Sequence, residues 1–119
     1  MGFTYVDAVV YNRETSRSKK VRLLVDTGST YTWVAKQTVE ELSVQPERRR
    51  IFKTVDGRTV KRWLVDLPIE IGKEKAVTVV VLAERKDAEV LGVHALEGLG
   101  MEVDPTTGKL RRVRAILAV

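Results

Sequence analysis

The sequence contains no cysteine and a single histidine, His94. The lack of cysteine excludes disulfide bonds and thiolate metal sites, and it fits a reducing compartment. One imidazole cannot form a histidine metal cluster, and it leaves little room for a Ser-His-Asp catalytic triad. We therefore expect a protein that uses neither a metal ion nor a cofactor.

Long apolar runs are also missing. No stretch is long enough to span a bilayer, and the N-terminus lacks the pattern of a signal peptide. From these absences we expect a cytoplasmic protein that does not contact a membrane. The length of 119 residues predicts a single domain spanning residues 1–119.

Aromatic residues are scarce at 6 % of the chain, whereas charged residues make up 31 % and give a net charge of +5. The basic residues concentrate in two segments, 48–62 and 109–114. Basic stripes can bind nucleic acid or other anionic partners, but lysine and arginine also keep exposed sheet edges from aggregating. We favour the second interpretation, because no glycine-aromatic platform for stacking bases is present.

The most informative stretch is an aliphatic run that ends in a carboxylate. Leu23, Leu24 and Val25 predict a buried strand, and Asp26 follows them directly. A carboxylate at the edge of a core must be hydrogen-bonded or it takes up a proton. Gly28 permits a tight turn whose backbone N–H points back at that carboxylate. The turn alone explains the pattern structurally, but the aliphatic run before it and the apolar segment 30–34 after it favour a functional aspartate.

Two segments resemble one protein family. The segment 24–29, Leu-Val-Asp-Thr-Gly-Ser, resembles the catalytic loop of the retropepsin-like aspartic proteases of prokaryotic type. Val90, Leu91 and Gly92, followed by a short helical stretch over 93–99, resemble the hydrophobic-hydrophobic-glycine loop that packs behind it. The resemblance implies an all-β fold with one short helix, in the form of a closed β-barrel of the retropepsin-like acid protease type with one lobe per chain.

Hydrophobic patterning fills in the remaining elements. It predicts strands over 3–11, 19–25, 30–34, 51–55, 59–67 and 76–82. Residues 36–42 can form a further short helix, which Pro46 is expected to stop. The segment 76–82 is almost continuously β-branched, which is typical of a strand covered on both faces.

A hairpin turn is predicted at Asp56-Gly57, between the strands over 51–55 and 59–67. This hairpin resembles the flap of the family, although its tip has one glycine where retroviral examples are glycine-rich. The resemblance implies substrate-binding residues in the flap and behind the catalytic loop: Val55, Asp56, Gly57, Arg58, Val90 and Leu91. If Arg58, Lys61 and Arg62 form a lid over the cleft, peptides with acidic flanking residues are expected to be preferred.

The resemblance implies an aspartic endopeptidase with catalytic residues Asp26, Thr27 and Gly28. Such chemistry needs two carboxylates that share one proton, and the sequence has one Asp-Thr-Gly triplet. We therefore expect a homodimer acting on a peptide or protein substrate, with the apolar segment 115–119 as a docking surface. Two alternatives stay open: a catalytically weak peptide-binding or dimerisation module of the same fold, and a basic nucleic-acid-binding β-barrel, which has less support.

Overall fold

A computed structural model describes residues 3–116 and 118, and over these residues the chain forms nine strands and two short helices. The strands are β1 (Tyr5–Tyr11), β2 (Ser18–Val25), β3 (Thr32–Ala35), β4 (Arg48–Lys53), β5 (Thr59–Ile71), β6 (Glu74–Ala83), β7 (Val90–Leu91), β8 (Met101–Val103) and β9 (Leu110–Arg112). The helices are α1 (Lys36–Glu41), between β3 and β4, and α2 (Val93–Leu99), between β7 and β8.

Most of the strands belong to one sheet that closes on itself. Its order is β1-β2-β7-β3-β6-β5-β4, and β1 also pairs with β5 through Val10 and Ile69. The ring is formed by β1, β2, β7, β3, β6 and β5, in that order, and β4 lies beside β5 at the open edge of the sheet. This closed, mostly β architecture is the fold class that the sequence predicts.

The core fills the inside of this ring. In β5 the side chains of Leu67, Ile69 and Ile71 are buried and alternate with half-buried residues, because successive side chains of a strand point to opposite faces. The last four residues of β6 are all buried, whereas Val77 is 51 % exposed. The predicted covering of both faces is therefore confirmed only for the end of this strand. Burying one such aliphatic side chain contributes about 1.5–3 kcal/mol.

Some element boundaries differ from the prediction. Strand β4 begins earlier, at Arg48, and ends at Lys53, so that Val55 lies in the hairpin turn. Helix α1 ends at Glu41, before Pro46 can act, because Ser43 adopts a left-handed backbone with a φ of 61°. Both α1 and α2 are present, whereas the fold implied by the family resemblance has one short helix.

The C-terminal part adds a small hairpin of β8 and β9. The hydroxyl of Thr4 donates to the carbonyl of Gly108 in its turn at 2.6 Å, which ties the hairpin to the beginning of β1. Within the segment 115–119 that was predicted to dock, Leu117 and Val119 lie outside the described residues. Neither of the helices found among the described residues has the length and apolar character needed to cross a membrane.

Candidate active site

Asp26 directly follows β2, at the point where this strand meets two other parts of the chain. Val25 pairs with Leu91 in a parallel ladder, and its N–H donates to the carbonyl of Thr4 at 2.8 Å. The N–H of Asp26 then donates to the carbonyl of Leu91 at 3.0 Å. The aspartate backbone is thus fixed by the second motif, across more than sixty residues of sequence.

The turn after Asp26 satisfies its carboxylate as the sequence predicts. The N–H of Gly28 donates to Oδ1 of Asp26 at 2.9 Å, and the N–H of Ser29 donates to its carbonyl at 3.1 Å. Asp26 is half-buried, while Thr27 and Gly28 are exposed. The loop therefore presents a hydrogen-bonded carboxyl group at the surface of the chain, where it can meet a water molecule or a second carboxyl group.

Gly92 of the second motif lies unusually close to the segment that follows Asp26. A Cβ atom at this position would lie 2.3 Å from the carbonyl oxygen of Tyr31 and 2.8 Å from that of Ser29. Contacts this short with backbone atoms cannot be relieved by rotating a side chain. Val90 and Leu91 precede this glycine and are both buried, with Leu91 fully so.

The two motifs are joined by further hydrogen bonds. The N–H of Gly92 donates to Oγ1 of Thr32 at 3.1 Å, inside the core. The N–H groups of Val93 and His94 donate to the carbonyls of Ser29 and Thr30 at 2.8 and 3.0 Å. Helix α2 therefore begins on the loop that carries Asp26. The sequence analysis did not single out Thr32, whose only signal is a hydroxyl in an otherwise apolar strand.

The hairpin predicted at Asp56-Gly57 is present between β4 and β5, and its turn is internally bonded. The N–H of Thr54 donates to the carbonyl of Arg58 at 2.8 Å, and the N–H of Arg58 donates to Oγ1 of Thr54 at 3.1 Å. The guanidinium of Arg58 pairs with Asp56 at 2.9 Å. Hydrogen bonds from Thr54 and Arg58 lower the pKa of Asp56. Val55 at the tip is completely exposed, and Gly57 takes a φ of 86°.

Aromatic side chains connect this hairpin to the segment after Asp26. The ring of Phe52 on β4 meets the ring of Trp33 edge-on at 5.2 Å between centroids, and that of Tyr31 at 6.3 Å. Tyr31 in turn meets His94 edge-on at 5.9 Å. His94 is exposed on helix α2, as expected for a surface histidine. The inner side of the hairpin thus packs against residues that follow the Asp26 turn.

An ion pair joins the hairpin to the loop before the second motif. Nε and Nη2 of Arg62 bind the two carboxylate oxygens of Asp87 at 2.7 and 3.0 Å, and the side chains are only 15 % and 17 % exposed. The N–H of Glu84 also donates to Asp87 at 2.7 Å. The Arg62 guanidinium is the main cause of the lowered pKa of Asp87. The sequence analysis did not predict an ion pair between Arg62 and Asp87, which are 25 positions apart.

These contacts change the role expected for the basic residues of the hairpin. Arg62 is held by Asp87 and is not available to a bound peptide. Lys61 is paired with Ile51, which places it on the opposite face of the hairpin from Phe52 and its aromatic contacts. The three cations expected over the cleft therefore do not form one group. Only Arg58 stays at the tip, and it is paired with Asp56.

The described residues contain no cluster of three or more histidine or acidic side chains arranged to hold a metal ion. The chemistry that the site offers is that of Asp26 itself, a surface carboxyl group with a hydrogen-bonded oxygen beside a hairpin.

Comparison with known families places the chain in one of them. The chain matches the sequence model of the family described as gag-polyprotein putative aspartyl protease over residues 15–98, which is more than half of its length and includes both motifs and the hairpin. No curated protein matches the chain. With this match and a closed, mostly β fold that places the two motifs in contact, the chain belongs to the retropepsin-like family of aspartyl proteases.

Proposed function

We propose that the protein is an aspartic endopeptidase that acts as a homodimer, with Asp26 of each chain in one catalytic pair. The observation that carries this proposal is the Asp26 turn, in which the Gly28 N–H holds one carboxylate oxygen at 2.9 Å at the exposed end of a core strand. A strand-ending turn of no function would not need the close packing of Gly92 behind it. The family match supports protease chemistry at this position.

The dimer is proposed because the sequence supplies one Asp-Thr-Gly triplet. Asp56 precedes glycine without a hydroxyl residue between them, and Asp104 precedes proline, so neither repeats the pattern. A two-fold axis through the catalytic loop would place Asp26 opposite its own copy. The exposure of Thr27 and Gly28 supports this arrangement, since both can then be covered by the second chain. In the family, the threonine hydroxyls bond across the dimer beneath the aspartates.

The proposed mechanism follows from two carboxyl groups held close together. Like charges at this distance cannot both be stable, so the pair keeps one proton between them. The ionised carboxylate takes a proton from a bound water molecule, whose oxygen attacks the peptide carbonyl carbon. The protonated carboxyl donates its proton to the carbonyl oxygen. Transfer of a proton to the amide nitrogen then allows the C–N bond to break, giving a carboxylic acid and an amine.

The residues proposed to contact the substrate differ in how exposed they are. The exposed tip of the hairpin consists of Val55, Asp56, Gly57 and Arg58. If the hairpin closes over the cleft as a lid, these residues would contact the bound peptide. Val90 and Leu91 are buried behind the catalytic loop. We propose that Val90 borders the pocket beside Asp26 and that Leu91, which is fully buried, supports the loop from within the core.

One observation favours the weaker alternative, a peptide-binding module with little turnover. The hairpin tip is held together by Thr54, Asp56 and Arg58, whereas a lid that opens and closes needs a tip with free backbone motion. In that case the dimer binds extended peptides but releases them uncleaved. The same experiment separates the two functions.

The test is cleavage of a broad peptide library by the purified protein between acid and neutral pH. We expect cleavage with a bell-shaped pH dependence weighted to the acid side, blocked by an inhibitor whose hydroxyl group mimics the attacked carbonyl. Asp26→Asn should abolish cleavage and leave the dimer intact, while the matched control Asp7→Asn, at an exposed carboxyl group on β1, should cleave like the parent.

Sedimentation of the same samples tests the dimer directly. A protein that stays monomeric at micromolar concentration and over the whole pH range would exclude the proposed pair. A dimer that binds the inhibitor without cleaving any peptide would support the binding module. Equal cleavage by Asp26→Asn would place the activity elsewhere in the chain.

We further propose that residues 1–119 act as one catalytic domain and that the protein works in the cytoplasm. The first proposal rests on the closed ring of strands, which involves residues from Tyr5 to Leu91. The second rests on the absence of cysteine from the sequence.

A further inference from the structure

The β4–β5 hairpin has a second, outer face that the proposed protease chemistry does not use. Residues that pair directly across two antiparallel strands point to the same side. Phe52 points toward Trp33 and Tyr31. The residues directly before and after it in β4, the next alternate residue, Arg49, and the residues paired with these three across β5 therefore point away from the two rings. These residues form the outer hairpin face, and all of them are exposed: Arg49, Ile51, Lys53, Thr59, Lys61 and Trp63.

The cations of the outer hairpin face have no acidic partners. Among the described residues, no ion pair involves Arg49, Lys53 or Lys61. On the positions that share the face of Phe52, Arg48 pairs with Asp66 and Arg62 with Asp87, while Arg50 is exposed and has no ion pair among the described residues. Three of the four unpaired cations of the hairpin therefore lie on the outer hairpin face.

Apolar surface lies between these charges. Ile51 is 67 % exposed at the centre of β4, and Trp63 is 38 % exposed with the Arg49 guanidinium 5.0 Å above its ring. Arg49, Ile51 and Lys61 also line a shallow depression, together with Arg50. Charges that only protect a sheet edge from aggregation do not require an exposed isoleucine among them, since that residue favours strand pairing.

The same strand also presents an open backbone edge. In the part of the chain that the structure describes, β4 pairs with β5 and with no other strand. The N–H of Thr54 bonds to Arg58, so alternation places the N–H and C=O groups of Arg49, Ile51 and Lys53 at the opposite, open edge. Arg49 and Lys53 thus combine a positive side chain with unpaired backbone groups, and Ile51 combines an apolar side chain with them.

We propose that the outer hairpin face binds an extended acidic segment of a polypeptide, which adds to β4 as a further strand. Its backbone would bond to the open edge at Arg49, Ile51 and Lys53. On the side that faces the outer hairpin face, its acidic side chains would meet the three unpaired cations, and an apolar side chain would cover Ile51. Nucleic acid could use the cations, but it would leave the backbone edge and Ile51 without a partner. The outer hairpin face lies opposite the one through which Phe52 contacts Tyr31 and Trp33, and binding to it does not require cleavage.

The probe is a fluorescein-labelled peptide of about eight residues in which glutamate and valine alternate, a length that matches a typical strand. Its anisotropy is followed during titration with the full chain. We expect saturable binding that weakens with salt, and a dissociation constant raised about tenfold or more by Arg49→Glu/Lys61→Glu. Arg13→Glu/Lys73→Glu, at exposed turn residues outside the hairpin, changes the net charge equally and should bind like the parent.

A second variant tests the added strand independently of charge. Ile51→Pro removes one backbone donor from the open edge and leaves every cation in place. Proline is tolerated on an edge strand where its nitrogen faces solvent, so the fold should survive, as circular dichroism can check. We expect the peptide to bind this variant about tenfold or more weakly as well.

Each other outcome overturns the proposal. Unchanged binding by Ile51→Pro would mean attraction by charge alone. Tighter binding of an oligothymidylate than of the acidic peptide would assign the face to nucleic acid. No binding of either probe would leave the cations as protection of the sheet edge. Since the readout is binding, a protein that cleaves no peptide can still satisfy the proposal, and an active protease can still fail it.

Discussion

Thr32 accepts a hydrogen bond from the N–H of Gly92 at 3.1 Å, and this bond joins the strand after the Asp26 turn to the second motif inside the core. The two residues are 60 positions apart in sequence. Because this hydrogen bond helps to hold the segment that carries Asp26, substitutions at Thr32 or Gly92 should affect Asp26 indirectly.

Two buried threonines allow a matched test of that bond. Thr32 and Thr78 are both buried, but Oγ1 of Thr78 has no hydrogen-bond partner among the described residues. Thr32→Val should lower the free energy of unfolding by about 1–3 kcal/mol, because it leaves the Gly92 N–H without an acceptor. Thr78→Val should leave stability equal or raise it by about 1 kcal/mol. Urea unfolding measures both, and equal losses would contradict the assignment.

Gly92 should tolerate no side chain. Gly92→Ala places a Cβ atom 2.3 Å from the carbonyl oxygen of Tyr31, so the backbone must move. We expect a loss of about 2–4 kcal/mol in the free energy of unfolding, together with lower activity. Gly98→Ala in helix α2 is the control, since its Cβ would lie at an ordinary 3.5 Å from Ala76. That variant should gain about 0.5–1 kcal/mol from helix propensity. A Gly92→Ala variant as stable as the parent would disprove the close approach.

The ion pair between Arg62 and Asp87 predicts a pH-dependent contribution to stability. Folding lowers the pKa of Asp87, so its stabilising effect is complete above the ordinary aspartate pKa and is lost as the pH falls through the lowered value. Asp87→Asn should therefore destabilise the protein near neutral pH by about 1–3 kcal/mol, and the difference should shrink in acid.

Thermal unfolding of Asp87→Asn and the parent at several pH values measures that difference. Glu102→Gln is the control, because it removes an exposed ion pair with Arg111 and should have little effect at any pH. A difference for Asp87→Asn that stays constant down to strongly acid pH would show that the loss comes from packing and not from charge.

Neighbouring residues on β4 should differ in their effect on catalysis. Phe52 contacts Trp33 and Tyr31, which follow the Asp26 turn, whereas Ile51 is exposed on the outer hairpin face. Phe52→Ala should reduce kcat/KM several-fold for a short neutral peptide and cost about 1–2 kcal/mol in stability, since the hairpin loses its support. Ile51→Ala should change neither quantity measurably with that substrate. Equal kinetics for the two variants would show that the aromatic contact does not position the hairpin.

Local signals in the sequence were sufficient for the longer strands and for the turn after Asp26. Alternation and β-branched runs predicted the longer strands, and Asp56-Gly57 predicted the hairpin, because these patterns act between near neighbours. Val90 and Leu91 were predicted as part of a loop, but they form the short strand β7. The bond from the Gly28 N–H to Asp26 was predicted for the same reason, as it spans two residues. The ends of the elements were predicted less accurately. Helix α1 ends where Ser43 adopts a left-handed backbone, a conformation that serine does not usually take.

The amino-acid pattern was enough to predict a β-rich chain with a surface carboxyl group at the end of a core strand. What surrounds that group is set by the folded chain, because the contacts join residues distant in sequence: Thr32 with Gly92, Phe52 with Trp33, and Arg62 with Asp87. The tertiary structure also decided which basic residues are free, since pairing across β4 and β5 sends Arg62 to Asp87 and turns Lys61 to the outer hairpin face. Composition fixes how many charges a chain has, but the pleat of a strand and the register of its neighbours fix where each one points.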